Sequence, residues 1–182
     1  DDAEAEIEAL FDTLRATAPD QLASALRRGK RRVALLAGLA DLGGVWSLEE
    51  VTGTLTRFAD LATHLAIRAC VGHELCRGKI PGKTEEDAET GAGMVALAMG
   101  KMGAHELNYS SDIDLICLFD ESQFERDDYH EARAALYCKL CRERKAALSP
   151  HTVSGNHATA TDLPPAAVEV IHAVMTDPGR LT

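Results

Sequence analysis

The stretch that decides the fold is MVALAMGKMGAHELNYSSDIDLICLF, residues 94–119. It begins with a short apolar run, passes through a turn bracketed by Gly100 and Gly103, and ends in a second run with alternating apolar residues. Runs of this length and pattern predict two β-strands. The second predicted strand is unusual because a buried strand would carry two acids, Asp112 and Asp114, one residue apart.

The two acids predict a metal site. Side chains two apart on a strand point to the same face, so we expect the carboxylates of Asp112 and Asp114 to lie side by side. Two like charges held that close raise each other's pKa and destabilise the fold unless a cation lies with them. Mg2+ suits such a pair, because it takes one or two carboxylates and completes its shell with water and phosphate oxygens. The pair therefore indicates phosphate chemistry.

The turn before the acids carries groups that suit a phosphate. Gly100 and Gly103 allow backbone N–H groups to approach a phosphate closely. Lys101 offers a positive charge, and Ser110 and Ser111 place hydroxyls beside the acids. The turn therefore supports the prediction of phosphate chemistry at this site.

Simpler interpretations exist for several of these residues. Asp112 and Asp114 are incidental acids if they lie at a solvated strand end. Lys101 is a solvent-exposed cap of the turn if no phosphate binds there. Glu106 and Asn108 are best interpreted as turn residues that hold the loop through bonds from side chain to backbone.

The first part of the chain predicts helices, because its apolar residues recur three and four apart as far as about residue 79. SLEE, starting at Ser47, is a capping box that predicts a helix after it. RRVALLAGLADLGG, residues 31–44, predicts a shorter helix that stops at its glycines, after two more short helical segments. The helix after Ser47 is predicted to bury Leu48, Val51, Leu55, Phe58, Ala62, Leu65 and Ala69.

A linker is predicted at residues 80–93, IPGKTEEDAETGAG, where glycine, proline and acids occur without an apolar period. We therefore expect a helical lobe over residues 1–79 and an α/β domain over residues 94–182. Residues 127–148 predict a helix with two acids near its positive end. The pattern weakens after about residue 148, with a short strand predicted near residues 158–163 and then a helix that begins at two prolines.

The composition indicates an ordinary globular protein, with 46% hydrophobic and 26% charged residues. A net charge of −10 provides no basic field for nucleic acid, so a protein partner or a metal-held nucleotide is favoured. No apolar run reaches the roughly 18 to 20 residues of a membrane span, and the acidic start is unlike a signal peptide. The five cysteines suit a reducing compartment. We expect a cytoplasmic protein without nucleic acid or membrane partners.

Three segments carry a family resemblance: ADLGGVWSLEEVT at residues 40–52, GMVALAMGKMGAHELNYSSDIDLI at residues 93–116, and DDYHEARAAL at residues 127–136. Together they resemble the N-terminal half of the bifunctional glutamine synthetase adenylyltransferase/adenylyl-removing enzymes. The Glu106-Leu107-Asn108 sequence is similar to the adenylyl-removing domain of that family. The resemblance implies an α+β fold, in which a helical segment precedes a small polymerase-β-like nucleotidyltransferase sheet with flanking helices.

The resemblance also implies a reaction. In that family inorganic phosphate attacks the phosphorus of an adenylyl-tyrosine on glutamine synthetase and releases ADP. Carried over to this sequence, the resemblance implies that Asp112 and Asp114 hold Mg2+ as catalytic residues. It also implies that the phosphate side is lined by Gly100, Lys101, Gly103 and Ser111. The implied partners are glutamine synthetase, a PII-type signal protein, ATP or ADP, and phosphate. Forward adenylyl transfer uses the same fold and metal and stays open as an alternative.

The sequence departs from the family pattern near its end. The family has a third carboxylate within a segment resembling RTDLRLRP, whereas residues 159–165 read TATDLPP. Asp162 is therefore the candidate third metal ligand, and the flanking arginines are absent. Such arginines would meet nucleotide or phosphate charge. Because of this difference we expect a truncated or divergent domain, and a non-catalytic domain that binds glutamine synthetase or a PII-type protein is the alternative function.

Overall fold

The computed structural model describes residues 2–136 and 158–159. The elements in this part of the chain are α1 (Asp2–Arg15), α2 (Pro19–Leu42), α3 (Leu48–Cys76), a 3-10 helix (Glu85–Gly93), β1 (Met94–Met99), α4 (Gly100–Gly103), β2 (Asp114–Phe119), a second 3-10 helix (Glu121–Gln123), α5 (Tyr129–Leu136) and β3 (Ala158–Thr159). Helices thus precede a small sheet with flanking helices, which confirms the predicted α+β class. None of the described helices combines the length and apolar character needed to cross a membrane.

The described residues form two compact units. The first contains residues 2–65 and 99–113, and the second contains residues 66–98, 114–136 and 158–159. The division passes through α3 and falls again between Ile113 and Asp114. The lobes predicted from the sequence, residues 1–79 and 94–182, remain predictions about which parts fold independently.

In the first unit, α1, α2 and the first part of α3 pack around two aromatic rings. The Phe11 and Phe58 rings are both buried, and their centroids lie 6.4 Å apart. Helix α2 passes these rings at Gly29, where a β-carbon would lie 3.1 Å from Leu14 Cδ1 and 3.2 Å from Phe58 Cε2. The absent side chain at Gly29 therefore allows α2 to approach its neighbours closely.

Helix α2 is a single helix of 24 residues, so the prediction of a shorter helix after separate short segments is wrong. Pro19 occupies the first turn, where its missing N–H costs nothing. The basic residues in the middle of the helix interrupt the apolar pattern without interrupting the helix. The predicted stop is confirmed, because the Gly43 N–H donates to the Leu39 carbonyl at 2.9 Å and Gly44 follows with a φ of +64°.

The capping box before α3 is confirmed. The Ser47 N–H donates to Glu50 Oε2 at 2.6 Å, and the Glu50 N–H donates to Ser47 Oγ at 3.3 Å. Within the predicted stripe, Leu55 and Ala69 are partly buried, whereas Leu48 is 71% exposed, so its predicted burial is wrong. Leu48 is the first residue of the helix, where the chain has only begun to turn. The stripe members that are buried are Val51, Phe58, Ala62 and Leu65.

The second unit contains a three-stranded sheet in the order β1-β2-β3. Strands β2 and β3 are antiparallel, and Ile116 is paired with Thr159. The Asp120 N–H donates to the Gly93 carbonyl at 2.8 Å, which joins the end of β2 to the start of β1. The predicted strands are confirmed over the described residues, with β2 beginning at Asp114.

Residues 80–93, predicted as a linker, contain a capped 3-10 helix. Thr84 and Asp87 form its capping box, and the Thr84 N–H, donating at 2.7 Å, lowers the pKa of the Asp87 carboxyl. Ala88 and Gly93 are buried. Gly93 has a φ of +93°, and a β-carbon there would lie 2.9 Å from the Phe124 ring. Glycine at position 93 therefore allows the Phe124 ring to pack closely against the backbone, rather than making the segment flexible.

Replacement of Gly29 by alanine tests the close approach of α2. We expect Gly29→Ala to lower the free energy of unfolding by about 1 to 3 kcal/mol relative to Gly53→Ala, because Leu14 and Phe58 are buried and have little room to move. Gly53 is the matched control, since a β-carbon there has no atom within 4 Å. Chemical denaturation measures the difference, and equal stability of the two variants would contradict the packing described.

Candidate functional site

The turn between β1 and the acids is one turn of helix, α4. It begins at Gly100, whose φ is +54°, and the Ala104 N–H closes it on the Gly100 carbonyl at 3.0 Å. Met102 is buried, whereas Lys101 and Gly103 are exposed. The buried Met102 side chain thus holds the turn in place, while the Lys101 side chain extends toward solvent.

The loop after α4 is fixed at Leu107. This side chain is 1% exposed, and its backbone N–H donates to Thr56 Oγ1 of α3 at 3.4 Å. Thr56 is itself fully buried and donates its hydroxyl proton to the Thr52 carbonyl at 2.8 Å. The Thr56 hydroxyl therefore connects the loop to α3, although Thr56 lies 51 residues before Leu107 in the chain.

Asn108 organises the next four residues. Its Oδ1 accepts bonds from the Ser111 hydroxyl at 2.7 Å, the Ser110 N–H at 3.2 Å and the Ser110 hydroxyl at 3.3 Å. The Asn108 N–H donates to Ser111 Oγ at 3.1 Å, which closes the turn. The prediction that Asn108 holds the loop is confirmed. The Ser111 hydroxyl proton, which we predict to face a phosphate, is engaged by Asn108 in this structure.

Asp112 and Asp114 are both exposed. Strand β2 begins at Asp114, so the expectation that both acids lie inside a buried strand is wrong. Leu115 and Cys117 of β2 point to the opposite face from Asp114, and both are buried. Because Asp112 belongs to the first unit and Asp114 to the second, the pairing of their carboxylates stays a prediction from the sequence.

The donor chemistry of the two acids fits magnesium. Exposed carboxylates provide the hard oxygen ligands that this ion prefers, and one or two of them are sufficient when water and phosphate complete the shell. Among residues 2–136 and 158–159, no three or more His, Cys, Asp or Glu side chains are grouped so as to hold a metal. Asp162, the predicted third ligand, lies outside the described residues.

Two further residues of the loop, His105 and Tyr109, lie near residues of α3 and α2. His105 has a φ of +58° and lies close enough to Asp60 to oppose the rise in the Asp60 pKa that partial burial causes. The Tyr109 hydroxyl lies 3.8 Å from the position of a β-carbon at Gly38. Burial and the nearby Asp41 charge raise the Tyr109 pKa. These contacts join residues distant in sequence, so no local pattern indicates them.

Cys70, a buried cysteine of α3, is unsuited to nucleophilic chemistry. Burial, with a smaller contribution from Glu74, raises the pKa of the Cys70 thiol to about 12. A thiol in that environment stays protonated at neutral pH and is inert.

The Asn108 turn makes a testable prediction. We expect Asn108→Ala to speed amide hydrogen exchange at Ser110 and Ser111 by about 5-fold, because the variant removes the acceptor of three exposed bonds. Asn108→Asp keeps an acceptor oxygen and is the control, with exchange close to that of the wild type. Equal exchange rates in Asn108→Ala and the wild type would contradict the role assigned to this side chain.

Comparison with known proteins identifies related sequences. The chain is 47% identical over 105 residues to the bifunctional glutamine synthetase adenylyltransferase/adenylyl-removing enzyme of Rhodopseudomonas palustris. It is 43% identical over 109 residues to the enzyme of that name from Caulobacter vibrioides, and 45% identical over 112 residues to that of Bartonella henselae. These alignments cover 58%, 60% and 62% of this chain.

The chain spans only a small part of these relatives, since the alignments cover 11% to 12% of their length. No solved structure matches the chain. The family model of the glutamate-ammonia ligase adenylyltransferases matches residues 1–166, which is most of the 182-residue sequence. The chain therefore belongs to the glutamate-ammonia ligase adenylyltransferase family.

Proposed function

We propose that this chain takes part in magnesium-dependent nucleotidyl transfer that controls the adenylylation of glutamine synthetase. The proposed reaction is phosphorolytic removal of AMP from an adenylyl-tyrosine. The observation that carries the proposal is the exposure of Asp112 and Asp114 beside buried residues of β2, which leaves both carboxylates open to a hydrated ion. The relatives' names include both adenylyltransferase and adenylyl-removing enzymes, which supports this class of reaction.

The proposed metal ligands are Asp112 and Asp114, with Asp162 as a third carboxylate. A bound Mg2+ would neutralise charge on the phosphate oxygens. Lys101, which is exposed on α4, would add a second positive charge at the phosphate. Ser111 can donate to a phosphate only when its hydroxyl proton leaves Asn108 Oδ1. The ligand set is a proposal from the sequence motif and from the exposure of its members.

Gly100 and Gly103 would contribute through the backbone. Neither residue has a side chain, so a phosphate oxygen could approach the main-chain N–H groups of α4 closely. A substituted Gly100 would also be strained, because its φ is +54°. These two residues are therefore proposed to line the phosphate side of the site.

The proposed reaction exchanges one bond to phosphorus for another. An oxygen of inorganic phosphate attacks the adenylyl phosphorus, and the bond from that phosphorus to the tyrosine oxygen breaks. The tyrosine oxygen takes up a proton, so the products are ADP and the unmodified synthetase. Transfers of this class depend on positioning and electrostatic stabilisation more than on covalent participation by the protein. The side chains of this protein would accordingly position the reacting groups and stabilise the charge on the phosphate oxygens.

The direction of transfer is a separate part of the proposal. Forward adenylyl transfer from ATP to the synthetase would use the same acids. The Glu106-Leu107-Asn108 sequence favours removal, because it resembles the adenylyl-removing domain of the family. ATP with unmodified synthetase is the substrate pair that tests the forward direction.

A second candidate function is binding without catalysis. The feature that favours it is the segment TATDLPP, which lacks the arginines expected around the third carboxylate. No Arg or Lys occurs between Lys145 and Arg180 to replace them. In this alternative the chain binds glutamine synthetase or a PII-type signal protein without turnover, and replacement of Asp112 leaves that binding unchanged.

Release of ADP from adenylylated glutamine synthetase tests the proposal. We expect the purified chain to release ADP in the presence of Mg2+ and phosphate, and Asp112→Asn to slow the release by about 100-fold or more, because a charged ligand of the site is lost. Asp127→Asn is the control, since it removes an exposed carboxylate just before α5 and should leave the rate unchanged. Binding of the synthetase without ADP release would instead favour the non-catalytic function.

A further inference from the structure

Thr56 is a fully buried polar side chain on α3, and its hydroxyl is used twice. It donates to the Thr52 carbonyl one helical turn earlier at 2.8 Å, as buried helical threonines commonly do. It also accepts the Leu107 N–H at 3.4 Å. The second bond leaves the helix and reaches the loop that leads to Asp112.

The Leu107 N–H depends on this acceptor. The Leu107 side chain is 1% exposed, so water has little access to the backbone beside it. A buried N–H without a partner destabilises the structure, and nearly all such groups in folded proteins are bonded. The bond is long for its type, and within the described residues this N–H has no other acceptor. Loss of the bond would therefore leave the Leu107 N–H unpaired.

Only four residues, all in a hydrogen-bonded turn, separate Leu107 from Asp112. Leu107 is followed by Asn108, whose side chain and backbone are bonded to Ser111. Asp112 is the next residue. With Leu107 held on α3 and residues 108–111 closed into a turn, few backbone dihedrals remain free before the carboxylate. The position of Asp112 thus depends on a hydroxyl far away in sequence.

We propose that Thr56 is a positioning residue, which sets the placement of the loop ending at Asp112 through its bond to the Leu107 N–H. The effect on catalysis rests on the proposed function, whereas the effect on the loop does not. Displacement of a catalytic group by about 1 Å costs about 100-fold in rate, so loss of the bond is expected to reduce turnover. Substrate affinity should change little, because the Thr56 side chain is fully buried and out of reach of a substrate.

The same helix offers a matched control. Thr63 is also buried on α3, but its Oγ1 has no hydrogen-bond partner in the part of the chain that the structure describes. Thr63→Val and Thr56→Val therefore make the same chemical change at two buried sites of one helix. Loss of a hydroxyl should disturb the loop at residue 56 and leave it unchanged at residue 63.

Amide hydrogen exchange and steady-state kinetics test the proposal together, on the full chain. We expect Thr56→Val to speed exchange of the Leu107 amide by about 10-fold. It should also lower kcat for ADP release by about 10-fold or more, with KM changed less than about 2-fold. Thr56→Ser, which keeps the hydroxyl, should restore both quantities, and Thr63→Val should alter neither.

The outcomes separate this proposal from the proposed function. If the wild type releases no ADP, the proposed function fails, and exchange at Leu107 still decides whether Thr56 holds the loop. Equal exchange in Thr56→Val and the wild type, or equal kinetics in Thr56→Val and Thr56→Ser, would overturn the proposal. Should Thr56→Val not fold, fast exchange of the Leu107 amide in Thr56→Ser or the wild type would overturn it.

Discussion

The candidate site depends on Leu107, whose side chain must be buried while its backbone N–H finds an acceptor. The two demands conflict in a loop, because burial removes the water that would otherwise satisfy the backbone. A threonine on α3 resolves the conflict with one hydroxyl. The loop is thereby held against the helix at one point, and the exposed acid that follows is presented from a fixed base rather than from a free chain.

Local patterns were sufficient to predict much of the fold. The capping box at Ser47, the two apolar runs that form β1 and β2, and the glycine stop after α2 are each specified by neighbouring residues. The continuity of α2 is not evident from local pattern, because basic residues interrupt its apolar periodicity. The exposure of Leu48 does not follow from periodicity either, because periodicity does not show where a helix begins relative to its neighbours.

The sequence motif of the candidate site could be predicted, but the contact that holds its loop against α3 could not. Asn108 was recognisable as a turn residue because its bonds reach only two or three residues along the chain. Thr56 was not, since its partner lies 51 residues away and a threonine inside a helix carries no signal of that contact. The sequence left open whether Asp112 lies within the strand or at its solvated end, because an apolar run after an acid does not show where the strand starts.

The central claim is the proposal that Asp112 and Asp114 bind a divalent cation that holds a nucleotide's phosphate oxygens. Family membership supports nucleotidyl transfer in general, whereas the cation must be tested on this chain. Calorimetric titration of the chain with ADP in the presence of Mg2+ is the most direct measurement. The account predicts micromolar binding that needs Mg2+ and disappears in Asp112→Asn. Binding that is absent from the wild type, or that survives in Asp112→Asn, would contradict it.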